Sequence, residues 1–136
     1  MQTWFKVDAL SDTNRCKVKA DQQLWVLPGG GKVLAALAHA RCDLVTFDDG
    51  PQRLILAIAV ALEHQRTPLR LGDSAIECAL ATIRASEPAD LPVLVIGKID
   101  TRNKPSIAMV TRAGFENIDE ITDYDGSQLG VWTLLV

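Results

Sequence analysis

Apolar residues fall in two periods along this chain. Up to residue 60 they come as short dense runs: TWFKV (3–7), QLWVL (23–27), KVLAALAHARCDLVTF (32–47) and QRLILAIAV (52–60). Such runs, rich in strand formers, predict β-strands. Pro28 with the glycines after it should stop the second run, and DDGP (48–51) is a turn signal. Together they read as an antiparallel meander. The fourth run is almost wholly apolar, the pattern of a strand covered on both faces. The segment between the first two runs, 8–21, is polar and weakly periodic, which suits a loop or short helix.

After Gly72 the period changes. Ala75, Ile76, Ala79, Leu80 and Ile83 make a helical stripe. LPVLVIGKI (91–99) returns to strand, with Val93, Val95, Gly97 and Ile99 on one face and Leu94 and Ile96 on the other. Strand, helix, strand implies a right-handed parallel crossover. NKPSIAMVTRAGF (103–115) then predicts a tightly bounded helix. Asn103 suits its N-cap, Pro105 its first turn and Gly114 the left-handed position past its end. Two last strands, around 115–122 and 129–136, flank the turn DYDGS. The order is β-β-β-β-α-β-α-β-β. The fold class is therefore α/β with a mixed central sheet, antiparallel early and parallel at its centre, in one domain spanning 1–136.

Composition narrows the function little. The chain has 136 residues, 48% of them hydrophobic and 23% charged, ordinary for a globular domain. A net charge of −3 argues against a broad nucleic-acid surface. Cys16, Cys42 and Cys78 form no paired motif, and their odd number suits free thiols in a reducing cytoplasm. Cys78 lies in an apolar helical pattern and reads as structural. MQTWFKVDALSD lacks the features of a secretory signal, and the most apolar run, 54–62, is far below the ~20 residues of a spanning helix. A cytoplasmic protein without membrane or nucleic-acid partners is expected.

The candidate chemistry lies at HQRTPLRLGDS (64–74), where a buried strand passes into a helix. The first N–H groups of a helix have no intrahelical partners, and the helix dipole is positive there, so such a turn can hold phosphate. Arg66 and Arg70 could add charge-assisted hydrogen bonds. Asn103 follows one crossover later and should sit at the carboxyl end of the central parallel pair, where open α/β sheets bind ligands. Other motifs fail. GGGK (29–32) is no Walker loop, since Val26 and Val33 stand where Gly and Ser or Thr are required. Two distant histidines and scattered thiols make no metal set.

The spacing Asn103, Ser106, Met109, Val110, Arg112, Gly114, Phe115 resembles the C-terminal motif of the GNAT superfamily of acyl-CoA-dependent N-acetyltransferases. Residues 56–80, LAIAVALEHQRTPLRLGDSAIECAL, are similar to that family's central motif, and the likeness covers roughly 23–121. The resemblance implies acetyl-CoA as co-substrate and an amine as acceptor. Loop amides and side chains around Arg66, Thr67, Arg70, Leu71, Gly72 and Asp73 would cradle the pyrophosphate. The backbone at Ile58 and Val60 would pair with the pantetheine arm, in a gap between splayed strands, and Asn103 would line its far end.

Three departures qualify that implication. The family's loop glycines fall here on Pro68 and Arg70, or on Leu69 and Leu71, and only Gly72 fits if the loop carries an inserted residue. Val110 stands where the family usually has a Tyr that reprotonates the thiolate. The stretch before the second strand is short for the two helices that usually wall the acceptor site. No general base stands out: Leu54 takes the place of a catalytic Glu found in some members, His39 reads as structural, Glu63 and His64 only end a strand, and Tyr124 reads as surface. An N-acetyltransferase is expected, and a GNAT-like binding or regulatory module that has lost catalysis is the alternative. The apolar last strand, GVWTLLV, at a sheet edge, could pair two copies into a homodimer.

Overall fold

A computed structural model describes residues 3–7, 21–61, 63, 65 and 70–136. They form seven strands and two helices: β1 (Phe5–Val7), β2 (Gln23–Gly29), β3 (Lys32–Cys42), β4 (Gln52–Val60), α1 (Leu71–Ser86), β5 (Leu94–Asp100), α2 (Lys104–Arg112), β6 (Glu116–Thr122) and β7 (Gln128–Leu135). One sheet holds all strands in the order β1-β2-β3-β4-β5-β7-β6. Only β4 and β5 pair in parallel. The α/β class and the mixed sheet read from the sequence are the architecture found.

Local chemistry explains the connections. β2 and β3 turn on Gly30 and Gly31, with φ of 58° and 77°. Two consecutive positive-φ residues fit the twist of a two-residue hairpin, and only glycine takes them without strain. α2 is closed at both ends. The Asn103 side chain accepts from the Ser106 N–H (3.2 Å). At the other end Gly114, with φ of 98°, lets its own N–H reach the Thr111 carbonyl (3.1 Å) while the Phe115 N–H reaches that of Val110 (3.0 Å). This is a Schellman motif, and its outer residue Phe115 joins Val110 in the core.

Three buried clusters lie on the face of the sheet under both helices, while Ile96, Ala40 and Val131 are buried on the other face. Ile76 and Ile83 of α1 meet Val93 and Val95 beside Val110 of α2. Ala75 and Ala79 are fully buried against Leu37 of β3. Small residues there let the helix axis approach the strand closely. Leu71 packs with Leu27 and Ala35.

Four details differ from expectation. β2 runs through Pro28 to Gly29; among the described residues β1 pairs only with Leu24–Val26, so no described strand asks the proline for an N–H on that edge. β3 ends at Cys42, not at 47. The buried Gln52 side chain instead ties down the following loop, accepting from the Leu44 and Val45 N–H groups and donating to the Val45 carbonyl. β4 is not covered on both faces, since Leu56, Ala57 and Ala59 are exposed. β7 is interior, between β5 and β6, so the terminal strand does not supply the free edge on which pairing of two copies was expected.

Candidate functional site

β4 and β5 pair over four positions, from Gln52 opposite Leu94 to Ile55 opposite Gly97, and then part. The cause is in β4. Ile55 faces His39 and Ala57 faces Ala38, so Leu56 is one residue too many. Such a bulge bends its strand and increases its twist. Past it, β4 stays with β3 as far as Val60 opposite Ala35. β5 stays with β7 as far as Asp100 opposite Leu129. The bulge also shifts the phase of alternation, so Ile55 and Ile58, three apart, pack on the same side.

The backbone of β4 beyond the bulge turns polar groups into the gap. The Ala61 N–H donates to the Leu34 carbonyl (2.8 Å). In an antiparallel ladder alternate residues bond the same neighbour, so Ala57, Ala59 and Ala61 serve β3. Ile58 and Val60 face the side that β5 has left. The Gln65 side chain donates to the Val60 carbonyl (3.0 Å).

The gap opens into a cavity of about 790 Å³ between β4, the N-terminal end of α1 and one face of α2. Ile58, Ala59 and Val60 form one wall, Arg70–Asp73 a second, and Asn103, Pro105, Ser106, Met109 and Arg112 a third. α1 begins at Leu71, and its first backbone turn closes with the Ser74 N–H on the Arg70 carbonyl (3.2 Å). The N–H groups of Leu71, Gly72 and Asp73 therefore lack intrahelical partners at the cavity wall. Arg70 has left-handed geometry, φ 45° and ψ 52°. For a residue with a Cβ this costs about 1–2 kcal/mol, and among the described residues it is the one non-glycine with positive φ.

The charges in this wall are linked. The Arg112 Nη2 donates to Asp73 Oδ1 at 2.8 Å, and Arg70 Nη1 lies 3.8 Å from Asp73 Oδ2. The Arg112 bridge joins the two helices. Gly72 allows this approach: a Cβ there would come within 2.9 Å of the Met109 sulfur.

The site residues named from sequence are distributed as follows. Ile58, Val60, Arg70, Leu71, Gly72, Asp73 and Asn103 all line the cavity. Arg66 and Thr67 lie outside the described residues, as does His64. The Leu71 side chain is buried in the core, so only its backbone is available. Asn103 both caps α2 and lines the cavity. Gly72 lies within the first turn of α1 and does not supply the left-handed step. Arg70, two residues earlier, supplies it. Arg112, Met109 and Gln65 were missed as site residues. Their contribution depends on how close α2 comes to α1, which spacing alone does not give.

Val110 is buried in the core beside Phe115, and Tyr124 is fully exposed in the β6–β7 turn. His39 belongs to a separate buried cluster. Its Nε2 lies 2.9 Å from Thr82 Oγ1, and Arg53 Nε donates to its Nδ1 at 3.2 Å. Arg53 also donates to the Asp21 carbonyl (2.8 Å) and lies 3.8 Å from the buried Glu87, which Arg41 approaches to 3.1 Å. Burial, helped by the charges of Arg53 and Lys6, pushes the imidazole down to about 4. Burial pushes the Cys78 thiol up to about 11, as befits a structural thiol. Among the described residues no cluster of metal-ligating side chains forms, and no helix is long and apolar enough to cross a membrane.

No protein-family model matches the sequence. No curated protein matches it either. Solved structures do match the fold. The ribosomal-protein-S18-alanine N-acetyltransferase from Escherichia coli is 16% identical and aligns over 100% of this chain and 94% of its own, with a TM-score of 0.71. Arabidopsis thaliana NAA60 in complex with acetyl-CoA is 13% identical over 86% and 77% of the two chains, TM-score 0.67. An acetyltransferase of the GNAT family from Streptococcus pneumoniae is 16% identical over 85% and 67%, TM-score 0.64. The likeness extends over 85–100% of this chain and is one of fold. In particular, this chain has the GNAT fold.

Proposed function

We propose that this protein is an N-acyltransferase that takes an acetyl group from acetyl-CoA to an amine. The observation that carries this reading is the gap after Ile55 and Gly97, with the Ile58 and Val60 backbone turned into it and the start of α1 in the same cavity. An amide-bearing pantetheine arm laid along β4 would act as an added strand, exchanging hydrogen bonds with Ile58 and Val60. Its diphosphate would meet the free N–H groups of Leu71, Gly72 and Asp73, with Arg70 alongside and Arg66 and Thr67 in the segment just before. Asn103 would border the thioester end. A β4 N–H beside the acetyl carbonyl would stabilise negative charge on that oxygen during attack. The amine nitrogen bonds to the carbonyl carbon, the C–S bond breaks, and a proton passes from nitrogen to water or a base.

Val110 favours a second reading. It is buried and cannot protonate the departing thiolate, so the same cleft would serve a CoA-binding module without catalysis. Titration calorimetry with acetyl-CoA tests the shared premise, and micromolar affinity is expected. Amine-dependent release of free thiol selects the enzyme. Absence of binding at millimolar acetyl-CoA overturns both.

A further inference from the structure

The charged groups among the described residues of the cleft wall are Arg70, Asp73 and Arg112. Asp73 holds both cations, one on each carboxylate oxygen: Arg112 at 2.8 Å and Arg70 at 3.8 Å. Its position in the first turn of α1 already places a negative charge at the positive end of the helix dipole. A phosphate ester entering the same turn would therefore meet cations that are already paired and a carboxylate of its own sign.

We propose that Asp73 is a built-in competitor for the ligand's phosphates, and that Arg112 of α2 is the cation over which the two compete. This deepens the acyl-CoA reading and rests on it. Arg112 comes from the helix opposite the phosphate-binding turn, so an oxygen that displaced Asp73 would keep α1 and α2 linked, now through the ligand. The carboxylate thereby sets the affinity of the cleft for the phosphorylated end without touching the pantetheine end. A bridge that merely supported the fold would affect both ends alike.

The test is titration of acetyl-CoA, inorganic pyrophosphate and uncharged pantetheine into wild type, Asp73→Asn and the Asp73→Asn, Arg112→Gln double variant. Removing one repelling charge should tighten acetyl-CoA and pyrophosphate about tenfold at low salt. The gain should shrink toward roughly 0.5 M salt, where exposed charges are screened. Pantetheine should bind as before, and the double variant should lose the gain. Equal acetyl-CoA affinity in wild type and Asp73→Asn, or an equal gain for pantetheine, would overturn the proposal and leave the acyl-CoA reading intact. If acetyl-CoA bound no form, that reading would fall and pyrophosphate would decide the role of Asp73. Tightening in Asp73→Asn would then uphold it; unchanged or absent pyrophosphate binding would end it. Asp73→Ser serves should the Asn variant not fold.

Discussion

His39 should make this fold acid-sensitive well above the pH at which carboxylates titrate. The ring is fully buried, and its two nitrogens are satisfied only when it is neutral. Nδ1 accepts from Arg53, so the proton sits on Nε2, facing Thr82. Thr82 in turn donates to the Cys78 carbonyl at 2.8 Å. A second proton would be trapped against a guanidinium in a dry site. The folded ring accordingly titrates near about 4 against an ordinary 6.5. Between those values the unfolded chain binds the proton and the folded one does not, so stability is intact above about pH 6.5 and falls as the pH drops. Linkage puts the loss at about 2 kcal/mol by pH 5 and about 3 kcal/mol by pH 4. Urea unfolding of wild type and His39→Gln across this range is the assay. The Gln variant will be less stable at neutral pH, since its partners fit less well, but its curve should be flatter by that amount. Parallel pH curves for the two proteins would refute the assignment of a buried neutral imidazole.

Proline separates the two edges of β4. Ala59→Pro removes an N–H that serves β3 and should cost about 1–3 kcal/mol from the orphaned carbonyl alone, whereas Ile58→Pro should keep the fold, seen by circular dichroism, and abolish acetyl-CoA binding in calorimetry. Arg70→Gly relieves the left-handed strain, offset by the greater freedom of unfolded glycine, for a net gain of about 0.5 kcal/mol in thermal unfolding. The same variant loses a cleft cation, so its acetyl-CoA affinity should fall while its stability rises. Gly114→Ala forces a Cβ into φ 98° and should cost about 1 kcal/mol or more, read as a lowered melting temperature.

The sequence carried the architecture because its periods are clean. The α1 stripe of Ala75, Ile76, Ala79 and Ile83 is the buried face observed, and Asn103, Pro105 and Gly114 bound α2 as their chemistry requires. The strand order was partly hidden. Nothing in GVWTLLV distinguishes an edge from a place between β5 and β6, because both bury one face. The cleft was legible only by resemblance, yet it leaves a trace: Ile55 and Ile58 share a side at a spacing that alternation forbids, and that slip is the bulge. Arg70 hid the conformation of its loop, since a bulky residue gives no hint of positive φ. The Asp73–Arg112 bridge spans 39 positions in sequence and depends on helix packing that no local pattern encodes.

The interrupted pairing also divides the molecule mechanically. Four rungs between Gln52–Ile55 and Leu94–Gly97 stitch the half made of β1–β4 to the half made of β5, β7 and β6. Beside them, α1 is the other tie between the halves, with Ala75 and Ala79 against Leu37 and Ile76 and Ile83 against Val93 and Val95. A molecule threaded beside Ile58 and Val60 would extend the stitching past its present end. Occupancy would then register as stiffness across the whole sheet, out to strands the ligand never reaches.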